Sequence, residues 1–317
     1  MNSSLARVGL RWIAAMVLGG LVIWVVIGQW QSIEPRYQGK RLGVLLKGDP
    51  IEYVPAMMAI GTNALPYLLQ EIQARDSGLS RLGIGLFHRW LDSPPPWKTA
   101  RDRKHRARIG LGVLDSNAVP ALLNMAFSKP LRAQDGDPSL EAVLILAEFP
   151  SGAARIPTRR AVVEALDSGD AVRQWNASWI VALGGATLDT NLLERLTLLA
   201  RSEDPRLRWV AVRGAIAVRS SIQPEARSLF LERLADEQVA IRLEAISGLR
   251  LPKSNAAEAI AALRRAFDEE AQKPRKADPT RDWFEGGRAE SVDEVQWEIN
   301  KAILSIERTA KLPVAKE

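Results

Sequence analysis

The sequence predicts an all-α chain, an α-solenoid of stacked helical hairpins preceded by one N-terminal transmembrane helix. Three observations predict it. The segments Asp170-Ala-Val-Arg173, Asp204-Pro-Arg-Leu-Arg208 and Asp236-Glu-Gln-Val-Ala-Ile-Arg242 each open an apolar helical stripe, and their arginines lie 35 and 34 residues apart, a period that signals stacked repeats. Apolar residues recur at i, i+3, i+4 and i+7 along most of the chain, whereas few runs alternate with period two, which favours helices over strands. Residues 12–30 form one uncharged apolar run.

Taken in order, residues 1–11 are a basic tail carrying Arg7 and Arg11. In the run from Trp12 to Trp30, Gln29 is the only strongly polar residue. At ~1.5 Å per residue the run makes about 28 Å of helix, close to the ~30 Å hydrocarbon core of a bilayer. Trp12, Trp24 and Trp30 suit the membrane interface. A cleaved secretory signal is the competing reading; the length of the run and the lack of an Ala-x-Ala site favour an uncleaved anchor. Arg7, Arg11 and the terminal amine nearly balance Arg36, Lys40 and Arg41 on the other side. A short basic tail more often stays in the cytoplasm, so the expected orientation places the bulk of the chain across the membrane, in the periplasm if the source is bacterial.

Residues 31–55 read as a juxtamembrane segment, 56–310 as the solenoid with insertions near 75–100 and 270–290, and 311–317 as a tail. Ala59 to Leu69 is echoed by Gly112 to Leu123, with Pro66 and Pro120 at matching places. Asp92-Ser-Pro-Pro-Pro-Trp97 cannot continue a helix, because successive prolines lack amide donors and restrict their neighbours. Leu140, Val143, Leu144 and Ala147 form one stripe; Val172, Trp175, Trp179, Ala182 and Leu183 form the next. Leu207, Val210, Ala211, Gly214, Ala215 and Val218 form a third whose small residues let helices approach closely.

Asp204 followed by Pro205 is a helix start, and Asn191 with Glu194, Asn255 with Glu258 and Ser291 with Glu294 have capping-box spacing. Leu193-Glu194-Arg195-Leu196 returns as Leu231-Glu232-Arg233-Leu234 ahead of the next Asp-to-Arg turn. The stretch from about Glu270 to Glu290 is rich in helix breakers and contains Trp283 and Phe284, which either fold back on the last helix or touch a partner. That helix, about Ser291 to Thr309, has a stripe of Val292, Val295, Ile299, Ile303 and Ile306. Trp297 and Leu304 project from another side and need a contact, for which the preceding loop is the expected cover.

On these residues the chain resembles the HEAT-repeat family, helical hairpins that stack into a solenoid. The resemblance rests on Asp170/Arg173, Asp204/Arg208 and Asp236/Arg242, and covers about residues 138–267 well. In that family the turn Asp and Arg commonly form a ladder between neighbouring repeats, which implies a structural role for these six side chains. The Asn-Ala-x-Pro-x-Leu pattern around Pro66 and Pro120 is similar to the start of a HEAT first helix. Glu34 to Leu42 looks like a segment that follows the hydrophobic leader in uncharacterised bacterial HEAT-repeat proteins, although Val44-Leu45-Leu46 stands where a Trp is expected.

The 317 residues are 47% hydrophobic and 25% charged, enough for one extended array, and 43 Lys and Arg against 37 Asp and Glu give a net charge of +6. Nucleic-acid binding usually needs a concentrated basic face, so such a mild overall excess argues little by itself; a periplasmic placement is what makes nucleic acid an unexpected partner. With no cysteine and only His88 and His105, zinc-ligand spacing is missing, and no Asp-rich loop suits a hard cation. Gly39-Lys40 lacks the upstream Gly of a phosphate loop, and no Gly-x-Ser-x-Gly is present. Paired carboxylates such as Glu269-Glu270 and Asp293-Glu294 are expected to be solvated on exposed helical faces.

The densest charge cluster is Lys98, Arg101, Arg103, Lys104, Arg106 and Arg108. It reads either as a site for anionic lipid, polymer or nucleic acid, or as a helix start whose cations pair with nearby acids. The expected function is a membrane-anchored, non-catalytic scaffold that binds protein partners and needs no cofactor. The rivals are an anion-binding module built on residues 98–108 and an enzyme accessory. Some HEAT-like proteins resemble lyases and glycosylases, but no residue constellation supports that here.

Overall fold

A computed structural model describes residues 34–78, 80–82, 84, 99–131, 137–149, 153–184, 191–218, 224–250, 256–272 and 292–311. The expected anchor at 12–30, the proline loop at 92–97, Lys98, Trp283 and Phe284 lie outside these. Among the described residues the chain is mostly helical, with fourteen α-helices and one two-stranded hairpin, and no single helix is long and apolar enough to cross a membrane. The chain divides into two compact units between Leu114 and Asp115.

The first unit opens on strands β1 (Arg36–Tyr37) and β2 (Lys40–Arg41), paired antiparallel. The sequence did not predict this hairpin. Its two-residue turn is Gln38-Gly39, with φ of 49° and 78°, the left-handed pair that tight hairpins require. Helices α1 (Leu42–Leu45), α2 (Pro50–Ile60), α3 (Leu65–Ile72) and α4 (Ala100–Leu114) follow, and α4 packs on both α2 and α3. Asp49 caps α2 by accepting from the Ile51 amide at 2.9 Å, so helix starts six residues before the expected solenoid boundary at 56. Thr99 and Asp102 form a reciprocal capping box on α4: the Asp102 amide donates to Thr99 Oγ1 at 3.1 Å and the Thr99 amide to Asp102 Oδ2 at 3.0 Å.

The second unit contains α5 (Val119–Ala126), α6 (Pro138–Glu148), α7 (Arg155–Leu166), α8 (Ala171–Gly184), α9 (Asn191–Leu199), α10 (Pro205–Ala217), α11 (Pro224–Arg233), α12 (Val239–Leu249), α13 (Ala256–Gln272) and α14 (Val292–Lys311). Consecutive helices pair as α5/α6, α7/α8, α9/α10, α11/α12 and α13/α14. Each even-numbered helix from α6 also packs on the next even one, and α5, α7, α9 and α11 form a second succession. The even helices are lined by Ala177, Ser178, Ala211, Ala215 and Ala245, all fully buried. Buried Asn176 ties α8 to the chain after α5, donating to the carbonyls of Ala126 at 2.6 Å and Lys129 at 2.8 Å and accepting from the Leu131 amide at 3.1 Å.

The start at Asp204 follows the sequence, whereas the caps expected at Asn255 and Ser291 lie outside the described residues. Asp204 accepts from the Arg206 amide at 2.9 Å with Pro205 at the first helical position, where its missing amide is harmless. The echo between Pro66 and Pro120 is structural as well: both lie at the second residue of an eight-residue helix preceded by a short 3-10 turn. Three expectations need correction. Leu183 is 42% exposed, so the α8 stripe ends before it. Helix α6 is buried on more than its predicted stripe, with Ser139, Ala142, Ile145 and Leu146 all interior, because it is packed on both α5 and α8. Helix α13 runs through Gln272, past the expected start of the second insertion.

Candidate functional site

The most ordered polar feature is a buried charge ladder in the second unit. Arg208, in the first turn of α10, reaches 28 residues forward to Asp236, with Nε donating to Oδ2 at 3.0 Å and Nη2 to Oδ1 at 3.2 Å. Its Nη1 donates to the carbonyls of Ser202 and Glu203 at 3.1 and 3.0 Å. Arg242, 34 residues later, repeats the pattern: Nη1 donates to the carbonyls of Asp236 and Glu237 at 2.9 and 3.0 Å, and Nη2 to Glu270 at 2.6 Å, again 28 residues on. Arg242 is 4% exposed and Glu270 1%. Burial opposes the charge of Arg208, but the hydrogen bonds and charges of Asp236 and Glu237 outweigh it and hold the guanidinium above its ordinary pKa.

Three of the six predicted ladder residues, Arg208, Asp236 and Arg242, are brought together. The other three act elsewhere. Asp170 accepts from the amides of Val172 and Arg173 at 2.8 and 3.2 Å, and Asp204 caps α10 as described, so both serve helix starts. Arg173 lies over the Phe127 ring at 5.6 Å. One 34-residue step before Arg208 is Gln174, whose amide donates to the Leu166 carbonyl at 3.1 Å; the expected Arg173 is one position out of register. Glu270, expected to be solvated, is instead interior and ion-paired. The 28-residue step from Arg208 to Asp236, repeated from Arg242, lands on it.

A second constellation crosses α8, α10 and α12. Trp209 lies 34 residues after Trp175, and Arg213 the same distance after Trp179. The Trp175 and Trp179 ring centroids are 6.0 Å apart, and Trp209 lies 6.2 Å from the first and 5.5 Å, edge-on, from the second. The Arg213 guanidinium stands 5.6 Å from Trp179 and 5.8 Å from Trp209, in range for cation–π attraction, and donates to Glu244 at 2.8 Å. Burial pushes the Glu244 carboxyl above its ordinary pKa, against the charge of Arg213. The Arg213 side chain is 44% exposed, so the line ends in an accessible cation held on an aromatic floor. Composition read Trp175 and Trp179 as core and missed Trp209 and Arg213.

The basic cluster of the first unit is not gathered on one face. At ~100° per residue its described members spread around α4. Arg101 is exposed, Lys104 is buried, and Arg106 and Arg108 are half-buried. Arg103 is held by Glu71 through two bonds, Nε to Oε2 at 3.0 Å and Nη2 to Oε1 at 2.7 Å. Neighbouring Tyr67 is pushed up in pKa, first by burial and then by the charges of Glu71 and Glu34. The alternative in which these cations pair with nearby acids therefore describes Arg103.

At the end of the chain, Trp297 and Leu304 are 58% and 56% exposed, and the Lys301 ammonium stands 4.0 Å from the Trp297 ring centroid. The loop expected to cover them falls largely outside the described residues. Among the described residues no group of three or more His, Cys, Asp or Glu side chains is placed to share a metal ion. No protein-family model matches this chain, and no curated protein matches it in sequence.

Proposed function

We propose that the chain is a membrane-anchored α-solenoid of HEAT type that binds a protein partner as a non-catalytic scaffold. The observation that carries this reading is the repeated ladder, Arg208 to Asp236 and Arg242 to Glu270, at a 34-residue period on successive helical hairpins. Such hairpins build a continuous face that engages a partner without any reacting group. On that face Arg213, set on Trp179 and Trp209, has the composition of an interface anchor, since Trp and Arg are enriched among residues that dominate binding. The apolar run at 12–30 supplies the membrane attachment.

The test is crosslinking in cells with the full chain, followed by mass spectrometry, alongside Arg213→Glu and a double variant, Arg101→Glu with Arg106→Glu. The double variant spares Arg103, which Glu71 needs. One dominant protein partner, retained by the double variant and lost by Arg213→Glu, is the expected result. Recovery of anionic lipid or nucleic acid that disappears in the double variant overturns the scaffold reading in favour of anion binding.

A further inference from the structure

Helix α2 is apolar around its whole circumference: of its eleven residues, Pro50 to Ile60, only Glu52 is charged. A helix of that composition is normally buried on all sides. Here Ala56 and Met57 are fully buried while Ile51 is 81% exposed and Met58 71%. Ile51, Pro55 and Met58 follow at i, i+4 and i+7, one stripe of the helix, and Pro55 and Ala59 are exposed with them. Val44, on the short preceding helix, is also 54% exposed. Arg36, Lys40, Arg41 and Lys47 are exposed just upstream, with Glu52 close enough to Lys40 to pair at 3.8 Å.

We propose that this stripe of α2 docks on the lipid surface as an interfacial helix, with Ile51, Pro55 and Met58 in the boundary between headgroups and acyl chains. The inference rests on the membrane-anchor reading. The occupant is indicated by where the chain comes from. The Leu42 amide donates to the Pro35 carbonyl at 2.8 Å and the Gly43 amide to Glu34 Oε1 at 2.7 Å, so the folded unit is fixed from Glu34 onward. Only residues 31–33 separate it from Trp30, the last residue of the apolar run. Four steps of extended chain span at most about 14 Å, which holds the unit against the bilayer. An eleven-residue helix of ~1.5 Å rise is about 16 Å long, too short to cross a ~30 Å core and suited to lying in the interface. The cations of the hairpin complement anionic headgroups.

The chain has no cysteine, so Met58→Cys or Ile51→Cys offers a single thiol for an environment-sensitive fluorophore. The full chain is reconstituted into vesicles of phosphatidylcholine and phosphatidylglycerol with and without spin-labelled lipid, and iodide in the aqueous phase serves as the opposing quencher. Carbonate extraction is run on the same samples. The expected result is at least twofold quenching at positions 51 and 58 by the spin-labelled lipid, little by iodide, and retention of the chain in the membrane. Retention with labels at 51 and 58 quenched by iodide and not by the spin-labelled lipid overturns the docking and leaves the anchor standing. Release by carbonate overturns the anchor and the docking with it. Disulfide-linked dimers of the Met58→Cys chain show that a second copy covers the face instead, and overturn it as well.

Discussion

Removing Arg242 is the perturbation that most directly weighs the ladder. Arg242→Met keeps much of the side-chain volume but takes the 2.6 Å ion pair from the carboxylate of Glu270, whose side chain is 2% exposed, and takes a donor from the carbonyls of Asp236 and Glu237. Breaking a buried pair by deleting one partner costs about 3–5 kcal/mol, and each of the two carbonyls that loses its donor adds about 1 kcal/mol, so a loss of about 5 kcal/mol or more is expected. Glu270→Leu leaves the guanidinium its two carbonyls and costs less, about 2–3 kcal/mol, since hydrogen bonds to charged groups are worth about 1.5–3. The double variant removes both charges, so its cost falls short of the sum by about 2 kcal/mol or more. The assay is urea unfolding of the full chain in detergent, following the near-UV circular dichroism of the Trp175, Trp179 and Trp209 cluster. Arg160→Met is the control, because the Arg160–Glu164 pair is 82% and 58% exposed and exposed pairs contribute about 0–1 kcal/mol. If Arg242→Met costs no more than Arg160→Met, or if the double variant is simply additive, the ladder is not the structural element described.

A methyl at Gly248 meets three ring carbons of Phe230 at 2.7–2.8 Å, and Phe230 is 1% exposed; overpacking of about 1–3 kcal/mol exceeds the ~1 kcal/mol helix gain of Gly→Ala, so Gly248→Ala lowers Tm. Gly112→Ala, where a Cβ has open space, keeps the propensity gain and raises Tm, both read by calorimetry. Asp102 is held below the ordinary carboxylate pKa first by the Thr99 amide and then by its hydroxyl. A depressed folded-state pKa stabilises above the ordinary value of about 3.9 and loses that contribution as pH falls through the folded value. The stability difference between wild type and Asp102→Ala, followed by thermal melts against pH, is therefore present at neutral pH and closes in acid; a difference that widens in acid refutes the assignment.

The second unit is legible in the sequence because its period is nearly constant. Apolar stripes, proline after a capping Asp, and the Arg208 and Arg242 positions all follow from local composition. What failed is register and partnership. Arg173 is chemically the right residue one place away from Gln174, and only the 34-residue step distinguishes them. Glu270 lies in a run of charged residues, Asp268-Glu269-Glu270, where composition predicts solvation; it is instead buried and paired with Arg242, a residue 28 positions away in another helix. Leu183 failed for the opposite reason, since periodicity continues to the end of α8 while the neighbouring helix does not cover it. In the first unit, the Gln38-Gly39 hairpin carries no Asn-Gly or Asp-Gly signal, and the basic run on α4 looks like one patch in sequence because linear spacing hides the ~100° rotation per residue.

The composition of the even helices explains why a charge ladder is useful there at all. Ala177, Ser178, Ala211, Gly214, Ala215 and Gly248 line close helix contacts, and a seam of small side chains packs almost equally well when one helix slides along another. A bidentate Arg–carboxylate bond does not, because its two donors and two acceptors meet in one alignment. A slip of one helical turn, ~5.4 Å, would break both bonds between Arg208 and Asp236 and leave the buried carboxylate to Arg233 and the guanidinium to the carbonyls of Ser202 and Glu203. The small residues set how closely neighbouring hairpins approach, and the ladder sets where along their length they meet. With both fixed, Arg213 of one hairpin falls on Trp179 of the preceding one and within 2.8 Å of Glu244 of the next, so the accessible cation is positioned by the same repeat geometry that buries its relatives.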